Sequence, residues 1–147
     1  MRIATCTEDD FYTLWNYSNG TIPIINLVNS NGTMGTEANI AIKKLYPDEM
    51  FDDFLKWINL KKKSSFQILK YDGCPPLINI IGAYNKVQRY RYDISKTIKM
   101  VINRNFQITQ TIAFFDNDYL EKAIDVTWIY GLTAQKYYPS IVRDDEE

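Results

Sequence analysis

Hydrophobic and polar positions along the chain fall into short runs of two kinds. TIPIINLVN, residues 21–29, is β-branched and almost continuously apolar. That pattern predicts a central strand buried on both faces, with Pro23 near its start. SSFQILKYDG and PPLINIIGAY, residues 64–73 and 75–84, predict two further strands around a Gly-Cys-Pro-Pro turn. FQITQTIAFF puts Phe106, Ile108, Ile112 and Phe114 on one face of a strand, with Gln110 the polar break in the alternation. Arg2–Cys6 is a short candidate first strand, and SIVR, residues 140–143, a last edge strand.

Between these runs the period changes to that of a helix. Ala38, Ala41, Ile42 and Leu45 recur at i, i+3, i+4 and i+7, which predicts a helix from about Gly35 to Tyr46, ended by Pro47. Phe51, Phe54, Leu55 and Ile58 repeat the spacing, with Asp48 and Glu49 at the positive end and Lys61–Lys63 at the negative end. Asp93 can cap a helix carrying Ile94, Ile98, Val101 and Ile102 inward. A longer helical pattern runs from Asp118 to about Tyr137, interrupted by Gly131 and stopped by Pro139. TEDDFYTLWNYSNG, after the first strand, reads as a capped helical turn or loop closed by Asn19-Gly20. The acidic DDEE ending reads as a frayed tail. Strands alternating with helices, with no linker or repeat, predict a single α/β domain over residues 1–147 with a mixed sheet.

Composition narrows the chemistry. The chain has 147 residues, 46% hydrophobic, and a net charge of −1, so it can bury a core and presents no global basic field for duplex nucleic acid. It contains no histidine, which removes histidine metal sites and histidine acid–base catalysis. Its two cysteines, Cys6 and Cys74, form no local pair, so reduced thiols are expected. No apolar run is long enough to span a membrane and no secretory h-region opens the chain; a cytoplasmic protein without metal or cofactor is expected.

In α/β sheets ligands sit beyond the carboxyl ends of the strands. Here that places Asn29-Ser30-Asn31-Gly32-Thr33-Met34-Gly35 between a buried strand and a helix. Gly32 and Gly35 permit positive φ and close backbone approach, and the helix start offers unpaired N–H groups. The loop is either a phosphate or ribose cradle or a capped turn without ligand.

The order of residues adds a resemblance. NLVNSNGTMGTEANIAIKKLYP resembles the ADP-ribose-binding macrodomain family, in the branch of ADP-ribose-1″-phosphate phosphatases and ADP-ribosyl hydrolases of DNA or protein. In that branch a strand ends in Asn, a Gly-Met-Gly or Gly-Trp-Gly loop follows, and a helix ends in Lys-Lys-x-aromatic-Pro. Asn29, Gly32, Met34, Gly35, Lys43, Lys44, Tyr46 and Pro47 match in register, over about two dozen residues. The resemblance implies a three-layer α/β/α macrodomain-like fold with a mixed central sheet, and ADP-ribose or a derivative as ligand. It implies ligand contacts from Asn31, Gly32, Thr33, Met34 and Gly35, from Tyr84 and Asn85 after the strand in LINIIGAYNK, and from Phe115. Asp10 stands near the family's adenine-binding Asp. If the protein is catalytic, Asn29 positions the distal ribose or a water, and Glu37 or Asp116 acts as base.

Three departures stand beside this. Glu37 occupies a position where the family usually has glycine; it repels phosphate, acts as a general acid/base, or is a first-turn acid facing solvent. The loop FFDNDYLEK lacks the glycines of the family's second loop, and Asp118 there can be an N-cap. No histidine is available to phosphatase mechanisms that use one. YNKVQRYRY, residues 84–92, interleaves tyrosines with cations, as a base-stacking wall or a solvated loop would. Richness in Asn, Ile, Lys and Tyr suggests an AT-rich genome such as a bacteriophage's, which would place the protein in a host cytoplasm. Three functions follow: a hydrolase of ADP-ribose derivatives, a non-catalytic binder that sequesters such a signal, or a degenerate macrodomain acting through protein contacts.

Overall fold

The apolar run after Pro23 becomes the middle of a sheet. The computed structural model describes residues 2–5, 8–28, 32–35, 37–81, 97, 100, 113–116 and 135–136. In chain order these form β1 (Arg2–Thr5), α1 (Glu8–Ser18), β2 (Ile24–Val28), α2 (Glu37–Leu45), α3 (Glu49–Ile58), β3 (Phe66–Leu69), β4 (Leu77–Ile81), β5 (Ala113–Asp116) and β6 (Gln135–Lys136). Thr97 and Met100 are helical as well.

The strands lie in the order β3-β4-β2-β5-β1-β6. Those from β4 to β6 run parallel, and β3 is antiparallel to β4 at one edge. The predicted alternation of strands and helices with a mixed sheet is therefore present. Every residue of β2 is buried. Along β2 and β4, Ile24 pairs with Leu77, Asn26 with Asn79 and Val28 with Ile81 on one face. Ile25, Leu27, Ile78 and Ile80 occupy the other face and are buried too, so these central strands exclude water on both sides.

The three helices join the first face. Ile24, Val28 and Leu77 share one core cluster with Phe11 and Leu14 of α1, Ala38, Ala41 and Ile42 of α2, and Met50, Phe54, Trp57 and Ile58 of α3. Burial of each large apolar side chain contributes roughly 1.5–3 kcal/mol. The α2 stripe falls where its spacing predicts. In α3 the buried stripe is Met50, Phe54, Trp57 and Ile58, with Phe51 and Leu55 at its margin. The face is rotated from the predicted one because Met50 and the large Trp57 take the interior positions.

Two expectations change. TEDDFYTLWNYSNG is a full helix of 11 residues, with Phe11, Leu14 and Ser18 buried at helical spacing. It ends where Asn19 (φ 51°) and Gly20 (φ 75°) enter the left-handed region. Gln135–Lys136, inside the predicted last helix, is instead strand β6, paired with Arg2 and Ile3. Gly131 and Pro139 bracket that segment, and pairing with a distant strand overrides its local helical period. The remainder of that helix, most of the helix predicted at Asp93, Phe106–Ile112, SIVR and the acidic tail lie outside the described residues. Among the described residues no helix is long and apolar enough to cross a membrane.

Candidate functional site

Parallel strands bring their carboxyl ends to one edge of the sheet. β1 leads there into α1, β2 into the 29–36 loop, and β5 ends there at Asp116, which pairs with Thr5 of β1. The topology therefore gathers the start of α1 with Asp10, the loop with Gly32–Gly35, the start of α2 with Glu37, and Phe115–Asp116 along the same edge. Of Asp10, Glu37, Phe115 and Asp116 the structure describes the backbone. Asn29, Asn31, Tyr84 and Asn85 lie outside the described residues; the last two follow the carboxyl end of β4 in sequence.

Within the loop the two glycines differ. Gly32 adopts φ 79°, a conformation that a side chain disfavours. A Cβ built on it would lie 3.2 Å from Leu55 Cδ2 and 3.9 Å from Ile58 Cγ2, so this part of the loop rests against α3. Gly35 is exposed, lies outside the left-handed region, and would place a Cβ with no atom within 4 Å. The permission for positive φ is thus used at Gly32, and Gly35 leaves open space before α2. Between them the Met34 side chain is buried in the core, which anchors the loop. Thr33 is exposed. Glu37 is the first residue of α2, where a carboxylate favours the helix dipole and where the turn's N–H groups lack helical partners.

The second half of the resembling stretch, KKLYP, is accounted for by packing. Lys44 forms an ion pair with Glu8 of α1 on the surface. This lowers the Glu8 pKa and raises that of Lys44, chiefly through their mutual hydrogen bond. Lys43 Nζ lies 5.7 Å from the Phe51 ring centre. Tyr46 is buried, donates its hydroxyl to Pro75 O at 2.7 Å, and meets the Trp15 ring edge-on at 5.1 Å. Burial holds the Tyr46 phenol well above its ordinary pKa. Burial likewise raises the Cys74 thiol, which makes it a poor nucleophile. Beside this corner Lys43, Pro47, Asp48, Met50, Phe51 and Asp52 line a surface cleft of about 280 Å³. It lies at the far end of α2 from Gly35 and contains none of the candidate site residues.

Sequence reasoning overlooked a row of amides across β2, β4 and β3. Asn26 Nδ2 donates to Asn79 Oδ1 at 3.0 Å, and Asn79 Nδ2 donates to Gln67 Oε1 at 3.0 Å. Gln67 Nε2 then donates to the Asp53 carbonyl of α3 at 2.9 Å. Tyr71 reaches the same residue, its hydroxyl donating to Asp53 Oδ2 at 2.6 Å, and burial followed by this carboxylate raises its pKa. The signal was present: IINLV and LINII each carry an asparagine at the centre of an otherwise apolar strand. A buried amide needs a partner, and two such strands side by side supply one to each other.

Among the described residues no cluster of three or more potential metal ligands occurs. The arrangement can offer backbone N–H groups at a helix start, an open glycine and a carboxylate position. The N–H groups and the open glycine suit an anion, and a carboxylate at Glu37 would oppose one. The chain matches no protein-family model, and no curated protein matches it.

Proposed function

We propose that the protein is a macrodomain-like, three-layer α/β/α domain that binds ADP-ribose or a related nucleotide at the carboxyl edge of its sheet. The observation that carries the reading is the contrast between the two loop glycines: Gly32 rests against α3, and Gly35 is open at the start of α2. A turn that only reversed the chain would need the first and not the second. The register resemblance from Asn29 to Pro47 names the ligand, and burial of β2 and β4 on both faces supports a covered sheet.

In this reading the Gly32–Gly35 backbone holds the diphosphate, assisted by the N–H groups of the first turn of α2. Asn31, Thr33 and Met34 complete the loop, while Asp10 reads the adenine and Tyr84, Asn85 and Phe115 wall the pocket. Hydrolysis at the 1″ position or of an ADP-ribosyl linkage would use Asn29 to place the distal ribose or water, with Glu37 or Asp116 as base. Sequestration without turnover is the second reading, favoured by the glycine-free loop after Phe115.

A thermal-shift series with ADP-ribose, its 1″-phosphate and AMP tests binding. The first two should raise the melting temperature in a concentration-dependent way, by mass action on the native state. No shift with any of them would reject the nucleotide reading. Release of phosphate from the 1″-phosphate, or of ADP-ribose from modified DNA or protein, then separates hydrolase from binder.

A further inference from the structure

The amide row does more than satisfy buried polar groups. Asn26 and Asn79 are almost completely buried and stand directly opposite each other on neighbouring strands; Gln67 stands opposite Asn79 on the next. Among the described residues the row leaves the sheet at the Gln67 Nε2 bond to the Asp53 carbonyl. That carbonyl lies within α3, so the bond adds to the helix's own ladder and fixes the helix relative to β3. Tyr71, just beyond β3, holds the carboxylate of the same residue.

Helix geometry carries the constraint onward. Leu55 follows Asp53 by two residues, so its side chain lies about 160° around the helix axis from that of Asp53. Leu55 Cδ2 and Ile58 Cγ2 are the atoms that a Cβ on Gly32 would meet. One flank of α3 is therefore tied to the β3 edge of the sheet, and the other flank forms the wall on which Gly32 rests. A helix is stiff across its width, so a shift of the Asp53 flank moves the Leu55 flank with it.

We propose that Gln67 is a positioning residue for the Gly32–Gly35 loop, acting through Asp53 and the body of α3. This rests on the reading of that loop as the nucleotide site, but its first consequence can be observed without any nucleotide. Gln67 lies on the antiparallel edge strand, three strands from β5 in the sheet order, and its side-chain amide bonds Asn79 and Asp53.

The experiment uses the full chain and three variants. Gln67→Met keeps side-chain length and removes both amide bonds. Gln67→Glu retains an acceptor for Asn79 Nδ2 and replaces the donor to Asp53 by a carboxylate oxygen, which that carbonyl repels. Thr21→Ala removes the Thr21 Oγ1 bond to Ser18 O, on the turn after α1, and controls for stability loss alone. Backbone amide resonances of Gly32 and Gly35 are recorded, and ADP-ribose affinity is measured by calorimetry. Both Gln67 variants should move the Gly32 resonance and raise Kd roughly 3- to 30-fold, while Thr21→Ala does neither. If Gln67→Met does not fold, Gln67→Glu carries the test.

A still Gly32 resonance in a folded Gln67 variant, or an unchanged Kd beside a moved one, overturns the proposal. If the native chain does not bind ADP-ribose, the nucleotide reading fails separately. The Gly32 resonance then decides alone: movement upholds positioning through α3, and stillness overturns it.

Discussion

Replacing each loop glycine by alanine separates its conformational role from its spatial one. At Gly32 the backbone stands at φ 79°. An L-residue held there costs roughly 1–2 kcal/mol. The new methyl would stand 3.2 Å from Leu55 Cδ2, closer than ordinary contact, so the leucine must yield by a few tenths of an ångström. Such crowding costs about 1–3 kcal/mol, and the reduced freedom of the unfolded chain returns about 0.4–1 kcal/mol. Gly32→Ala should therefore destabilise by about 1–4.5 kcal/mol, which for a chain of this size lowers the melting temperature by roughly 3–15 °C. At Gly35 neither cost applies, because φ is not left-handed and a Cβ meets nothing within 4 Å. Gly35→Ala should be neutral or stabilising by up to about 1 kcal/mol. Urea unfolding of the two variants beside the native chain, with m values compared, gives both numbers. Equal destabilisation of the two, or a loss above about 1 kcal/mol at Gly35, would refute the distinction between a packed and an open glycine.

Other consequences follow from the packing and the surface charges. Tyr46→Phe removes the 2.7 Å bond to Pro75 O and leaves that buried carbonyl without its phenol donor. Equilibrium unfolding should show a loss of about 1–3 kcal/mol, with nucleotide affinity unchanged because Tyr46 lies at the far end of α2. The Glu8–Lys44 pair sets a pH dependence with two arms. Glu8 has a lowered pKa, so its contribution is present above the ordinary glutamate range and lost as pH falls through the lowered value. Lys44 has a raised pKa, so its contribution is present below the ordinary lysine value and lost as pH rises through the raised one. Side-chain carboxyl titration by NMR should place Glu8 below the ordinary glutamate value, and Lys44→Met should raise it, with the Tyr12 hydroxyl still donating to the carboxylate.

The elements with strong local signals were legible in the sequence. TIPIINLVN read as a strand buried on both faces because nothing polar but Asn26 interrupts it, and the stripe Ala38, Ala41, Ile42 with Pro47 beyond it fixed α2. Elements decided by distant partners were not legible. Gln135–Lys136 carries a helical period locally and is drawn into the sheet by Arg2–Ile3, more than a hundred residues away in sequence. The α3 face was misjudged by one position because spacing alone does not rank Met50 and Trp57 against Phe51 and Leu55. Within the loop, two glycines look alike as letters; only the approach of Leu55 makes Gly32 a packing glycine and Gly35 an open one. The amide row was visible as two central asparagines, but its exit through Gln67 to Asp53 depends on where α3 docks.

The central claim is that the open side of the Gly32–Gly35 loop receives the diphosphate of ADP-ribose. Isothermal titration of ADP-ribose into the native chain and into Gly35→Ala tests it most directly. The account predicts a saturable one-to-one heat for the native chain and an affinity at least about tenfold weaker in a variant whose stability is unchanged. No heat with the native chain, or equal affinity in the two, would contradict it.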